Sequence, residues 1–152
     1  MNATIEHLQK IVTNYSGKLN AMTEEAYSYK PQPNKWSKKE ILGHLIDSAQ
    51  NNIRRFVVAQ YEDVPVIRYN QDKWVSIADY QHYPIKDLIA LWALLNRHIC
   101  RVLSAASAEA LQRKCGTGGT QAPTLEWLAA DYCNHLLHHL HQVLDLEPIT
   151  YP

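Results

Sequence analysis

The chain of 152 residues holds only three cysteines, Cys100, Cys115 and Cys133, and no two of them form a C-x-x-C pair. That spacing excludes a zinc knuckle and a dithiol redox motif, and isolated free thiols of this kind pack as small apolar side chains. Glycine is scarce: five residues, of which Gly116, Gly118 and Gly119 share one loop. So few turn residues argue against a fold of many short strands. An excess of either charge is also missing, since 15 basic and 15 acidic residues give a formal net charge of +0. A non-specific nucleic-acid or membrane-surface binder needs a basic excess, so neither partner is expected. No uninterrupted apolar run reaches the ~18–20 residues that cross a bilayer. The longest candidate, Ile85 to Leu95, is broken by Lys86 and Asp87. The opening Met1-Asn2-Ala3-Thr4-Ile5-Glu6-His7 has neither the basic start nor the apolar stretch of a secretory signal. A cytoplasmic protein is the expectation.

What remains is ordinary globular composition, 46% apolar and 20% charged. The length suits one domain over residues 1–152. Eight histidines are the unusual component.

Apolar residues recur at helical spacing in four stretches. Ile5, Leu8, Ile11, Val12, Tyr15 and Leu19 predict a helix over Thr4 to Ala21. Two prolines, Pro31 and Pro33, then enforce a loop. Ser37-Lys38-Lys39-Glu40 has the form of a capping box, with Trp36 and Ile41 at the staple positions, and predicts a helix from Lys38 to about Gln60. Leu88, Leu91, Trp92, Leu95, Ile99 and Leu103 mark a third helix over Lys86 to Ala105. Thr124 suits the N-cap of a fourth, running to about Leu146. Four amphipathic helices of matched length predict an all-α four-helix bundle. The connection Glu62 to Pro84 between the second and third is too long for a plain turn, a length that usually carries function or structure of its own.

The last helix contains His135, His138, His139 and His141. At ~100° per residue, with His135 at zero, the apolar face centres near ~80°. His139 then falls inside that face at ~40° and His135 at its edge, whereas His138 and His141 point towards solvent. Two imidazoles at i, i+4 converge and can share one metal, but they are two ligands where a divalent ion needs more. On the second helix His44 belongs to a stripe with Ile41, Ser48, Asn51 and Arg55. Periodicity leaves open whether this mainly polar stripe is solvated surface or the lining of a cleft, and the general rarity of buried polar residues favours the surface.

These residues resemble a known family. The run from Lys35 through Trp36, Gly43, His44 and Asp47 to Ser48, followed by Asn52-x-x-Arg55, is similar to the second-helix opening of the DinB/YfiT-like superfamily. Tyr132-x-x-His135-x-x-His138-His139-x-x-Gln142-Val143 resembles its closing helix, and Gln71-Asp72-Lys73-Trp74-Val75 part of its long connection. The resemblance implies a four-helix bundle with a long crossover between helices 2 and 3, and a divalent metal (Zn, Ni or Fe) held by His44, His135 and His139. Asp47 and Asp131 are then placed to accept the second N–H of a ligand imidazole. Ser48, Asn51 and Arg55 are candidates to line a substrate cleft, with Arg55 suited to a carboxylate.

The function so implied is a metal-dependent enzyme that transfers a small-molecule thiol, bacillithiol- or mycothiol-like, to an electrophile, or else a hydrolase. The alternative is a non-catalytic stress-response protein whose metal braces the bundle. The resemblance also suggests a homodimer.

Overall fold

The structure is a computed structural model and describes residues 1–151. Its long helices are α1 (Asn2–Asn20), α3 (Lys38–Val58), α5 (Ile85–Ala105) and α7 (Leu125–Val143). Short helices α2 (Glu24–Ser28), α4 (Gln71–Ala78) and α6 (Ala108–Gln112) occupy the connections, with one 3₁₀ turn at Tyr80–His82. The expected four-helix bundle is present.

Local chemistry starts these helices where the sequence predicts. Ser37 Oγ accepts from the Glu40 N–H at 3.2 Å, and the Ser37 N–H donates to Glu40 Oε2 at 2.8 Å. This reciprocal box satisfies two of the orphan donors at the start of α3. Thr124 Oγ1 accepts from the Trp127 N–H at 3.2 Å and starts α7. Thr23, Asn70 and Ser107 cap the three short helices in the same way.

Packing arranges the long helices as a square in which α3 lies against α5 and α7, and α1 against the same two. Of the consecutive long helices, α1 with α3 and α5 with α7 are therefore diagonal, whereas α3 and α5 are neighbours. Gln81, just before α5, hydrogen-bonds Ser37 and Lys39 at the start of α3, so α3 and α5 begin at the same end. Two parallel neighbours need a connection that returns the whole helix length, about 30 Å for 21 residues. That return is the physical reason for the long crossover. It is pinned to the α6–α7 connection by the bridge Val66–Gly116 and by Arg113, which donates to the carbonyls of Ala59 and Glu62.

Helix α3 is the central element. Leu42, Leu45, Ile46, Ala49 and Phe56 are fully buried, and Lys39, His44, Asp47, Ser48, Asn51, Asn52 and Arg55 are buried with them. The polar stripe is thus interior, against the expectation of a solvated face, because α4, α7 and the crossover cover the side that periodicity marks as polar. Taken whole, α5 is also more apolar than its broken runs suggest. Its 21 residues are long and apolar enough to cross a bilayer, but Leu88, Trp92, Asn96 and Ile99 are buried in the bundle core.

Candidate metal centre and adjoining cleft

Helices α3 and α7 run antiparallel, and this brings the first turns of one against the last turns of the other. His44 Nε2 lies 3.1 Å from His135 Nε2. The ring centroids of His44 and His139 are 4.9 Å apart and those of His135 and His139 4.6 Å. One ring nitrogen from each of the three lies within 4.8 Å of those of the other two. His44 is 1% exposed, and Trp36, tilted over it with centroids 5.3 Å apart, closes one side. Trp36 thus covers a site residue as well as standing before the cap.

Burial keeps these rings neutral. It pulls the His44 pKa down to about 4, assisted by His139. His135 is pushed further down, first by burial and then by the proximity of the other imidazoles and of Arg55, beside which a proton is unfavourable. His139 is lowered mainly by burial, against a hydrogen bond to Gln142 that raises it. Neutral imidazole is the form that ligates a metal.

Hydrogen bonds orient the rings. His139 Nδ1–H donates to Gln142 Oε1 at 2.7 Å, which leaves Nε2 free on the side of the other two rings. Gln142 Nε2 in turn donates to His138 Nε2 at 3.0 Å, and His138 Nδ1–H donates to the Ile149 carbonyl at 2.6 Å. His141 has a parallel arrangement, with Nδ1–H on the Glu147 carbonyl and Nε2 accepting from Tyr15 Oη. His138 and His141 therefore do not face open solvent. They are half-buried under residues 147–151, a segment whose sequence has no periodic signal to announce it.

The carboxylates expected behind the ligands are engaged elsewhere. Asp47 Oδ1 accepts from Tyr80 Oη, and Asp47 Oδ2 is buried with no hydrogen-bond partner, as is His44 Nδ1. Burial pushes the Asp47 pKa up to about 6 against the lowering effect of Tyr80. Asp131 Oδ2 accepts from Tyr151 Oη at 3.0 Å. The residue that holds a ring N–H is Gln142, which stands in the family-like motif but reveals no partner through spacing alone. Gly43 has a comparable hidden role: a Cβ there would collide with the Tyr80 ring, so only glycine lets Tyr80 lie across α3 and reach Asp47.

A cleft of about 410 Å³ adjoins the histidines. Ser48, Asn52, Arg55, Tyr69, His135 and Tyr151 are among the residues that line it. Ser48 and Arg55 are there as expected, and Ser48 Oγ lies 3.5 Å from His135 Nδ1. Asn51 is not among the residues of that wall, and its amide donates to the Asp47 carbonyl; Asn52, which bonds the Ser48 carbonyl and Arg55, lines it instead. The Trp74 region of the crossover forms α4, with the Trp74 ring edge-on to Tyr69 at 5.5 Å.

A sequence profile described as the DinB superfamily matches residues 7–143. The chain belongs to the DinB superfamily. It is 28% identical over 136 residues to a Halalkalibacterium halodurans protein named "Putative metal-dependent hydrolase", covering 86% of this chain and 79% of that one. An Oceanobacillus iheyensis protein of the same name is 27% identical over 112 residues, 73% of this chain and 64% of its own length. Among solved structures, Bacillus subtilis YfiT, described as "a probable metal-dependent hydrolase with an unusual four-helix bundle topology", superposes with TM-score 0.85 at 22% identity, covering 95% of this chain and 83% of that one. A point mutant of a mycothiol-dependent maleylpyruvate isomerase superposes with TM-score 0.77 at 10% identity, covering 98% of this chain and 61% of that one. At these identities the structural likenesses speak for the fold.

Proposed function

We propose that His44, His135 and His139 hold a divalent metal and that this DinB-superfamily protein is a metal-dependent enzyme acting on a small molecule in the adjoining cleft. The observation that carries this reading is the convergence of three neutral imidazoles, one buried and two half-buried, from two helices. Metal–nitrogen distances of about 2.0–2.1 Å require ligand nitrogens roughly 3.3 Å apart in a tetrahedral shell. The 3.1 Å separation of His44 and His135 suits that requirement. Three neutral ligands also leave the ion's charge uncompensated and a position open. The chemistry such an ion supplies is to lower the pKa of a coordinated water or thiol towards neutrality.

The protein's own residues do the rest. Gln142 holds His139 in the tautomer that presents Nε2. Trp36 excludes water from behind His44, and Ser48, Asn52 and Arg55 supply polar contacts along the cleft wall. The fold shared with a mycothiol-dependent isomerase supports a small-molecule thiol as a participant, and thiol transfer to an electrophile is the reaction we assign to it. The names of the bacillary relatives support hydrolysis as the second reading. A direct test incubates the metal-loaded protein with a low-molecular-weight thiol and monochlorobimane. Thiol transfer predicts a conjugate that disappears in His139→Ala. Absence of conjugate together with turnover of an ester or amide panel favours hydrolysis. No turnover on either, with a large loss of stability on chelation, favours a metal that only braces α3 against α7.

A further inference from the structure

Arg55 is 9% exposed and spends three N–H groups on neutral acceptors. Nε and Nη2 donate to the Ile67 carbonyl at 3.1 and 2.9 Å, and Nη1 donates to Asn52 Oδ1 at 3.3 Å. A guanidinium has five N–H donors and stays protonated, so one N–H on each terminal nitrogen is left over. None of the ion pairs among the described residues includes Arg55. Asp131, the carboxylate on the same cleft wall, is taken by Tyr151 and lies beyond ion-pair distance. Elsewhere on the wall the polar groups are hydroxyls, the amides of Asn52 and Gln71, and imidazoles. A buried cation is costly unless it is paired. Burial indeed pulls Arg55 down, with Tyr69, Cys115, Asp131 and Tyr151 only partly offsetting it.

We propose that the cleft takes a small organic carboxylate, which pairs with the two spare N–H groups of Arg55 while the rest of the molecule extends towards the three histidines. The inference rests on reading this cleft as the substrate site, and it adds the substrate's charge class. A carboxylate supplies two coplanar acceptors, the pattern that matches a guanidinium edge. Tyr69, Tyr132 and Trp127 give the cleft apolar and aromatic walls for the organic part. The 410 Å³ volume is within the range of small-molecule sites.

The test compares benzoate with its neutral isostere benzamide by isothermal titration and ligand-observed NMR. It uses the protein as purified and after chelation. Wild type is expected to bind benzoate at least tenfold more tightly than benzamide, with and without metal. Arg55→Gln is expected to abolish the difference and Arg55→Lys to keep part of it. Equal binding of the two probes by wild type, or no benzoate binding at millimolar concentration, overturns the proposal without any variant. So does undiminished benzoate binding by an Arg55→Gln protein whose helical circular dichroism matches wild type. Benzoate binding that vanishes on chelation and is indifferent to Arg55 assigns the anion to the metal and also overturns it. A protein that carries no metal yet prefers benzoate through Arg55 contradicts the metal reading and upholds this one.

Discussion

His44 Nε2 and His135 Nε2 lie 3.1 Å apart although 91 positions separate them in the chain. Two such atoms so close share one proton or one cation. Among the described residues no carboxylate is bonded to either ring, and burial depresses both pKa values, so a second proton is strongly disfavoured. A divalent ion satisfies both nitrogens and His139 at once.

Gln142 is expected to set metal affinity without touching the metal. Its Oε1 holds His139 Nδ1–H, and its amide N–H passes on to His138 and thence to the Ile149 carbonyl. Gln142→Leu should weaken metal binding by about 10–100-fold, the usual effect of losing such a partner. Gln142→Glu, which still accepts from Nδ1, should retain most of it. Competition against a chelating dye measures both, and equal affinity in all three proteins would show that the ring is held by other means.

Gly43→Ala is expected to destabilise although alanine is the better helix former by about 1 kcal/mol. The added Cβ falls on the Tyr80 ring, which must leave α3 and give up its bond to Asp47. Overpacking of this kind costs about 1–3 kcal/mol. In a Tyr80→Ala background the same change should become neutral or favourable. A double-mutant cycle by urea denaturation reads the coupling.

Acid should destabilise the metal-free protein. His44, at about 4 when folded against 6.5 ordinarily, takes up its proton later in the native state than in the unfolded chain, and His135 later still. Stability is therefore lost as pH falls below 6.5 towards 4. Asp47 works in the opposite sense. Raised to about 6 from 3.8, it is protonated first in the native state and adds stability as pH falls through that window. Two histidines outweigh one aspartate, so the net slope is a loss. Asp47→Asn should steepen that loss and raise stability at pH 8. Urea midpoints from pH 8 to pH 4.5 give the comparison, and an unchanged slope would contradict the burial of the unpartnered Asp47 Oδ2.

Much of this is legible in the sequence, for reasons that differ by element. The Ser37–Glu40 box and the Thr124 cap are local, and local hydrogen bonding does not depend on the tertiary fold. Turning α7 by ~100° per residue picks His135 and His139 from four candidates, because that helix has a strong apolar face to refer to. The burial of His44 is not legible from periodicity, since α3 is covered on several sides and a polar stripe on such a helix looks like surface. Only the family-like motif points to His44. The role of Gln142, the cover that residues 147–151 lay over His138 and His141, and the glycine beneath Tyr80 all depend on contacts between segments that carry no shared pattern.

Metal should also tie α3 to α7. An ion at 100 times its dissociation constant adds about 2.7 kcal/mol. At about 2–4 °C per kcal/mol for a chain of this size, chelation should lower the melting temperature by roughly 5–10 °C. Restoring zinc should reverse the shift, and the drop should be absent in His139→Ala.

The most direct measurement is metal content by mass spectrometry after purification without a histidine tag, for wild type and His44→Ala. One equivalent of a divalent metal in wild type and a small fraction of that in His44→Ala is the result predicted by a centre spanning two helices. Equal metal in the two proteins, or none in wild type, would contradict it.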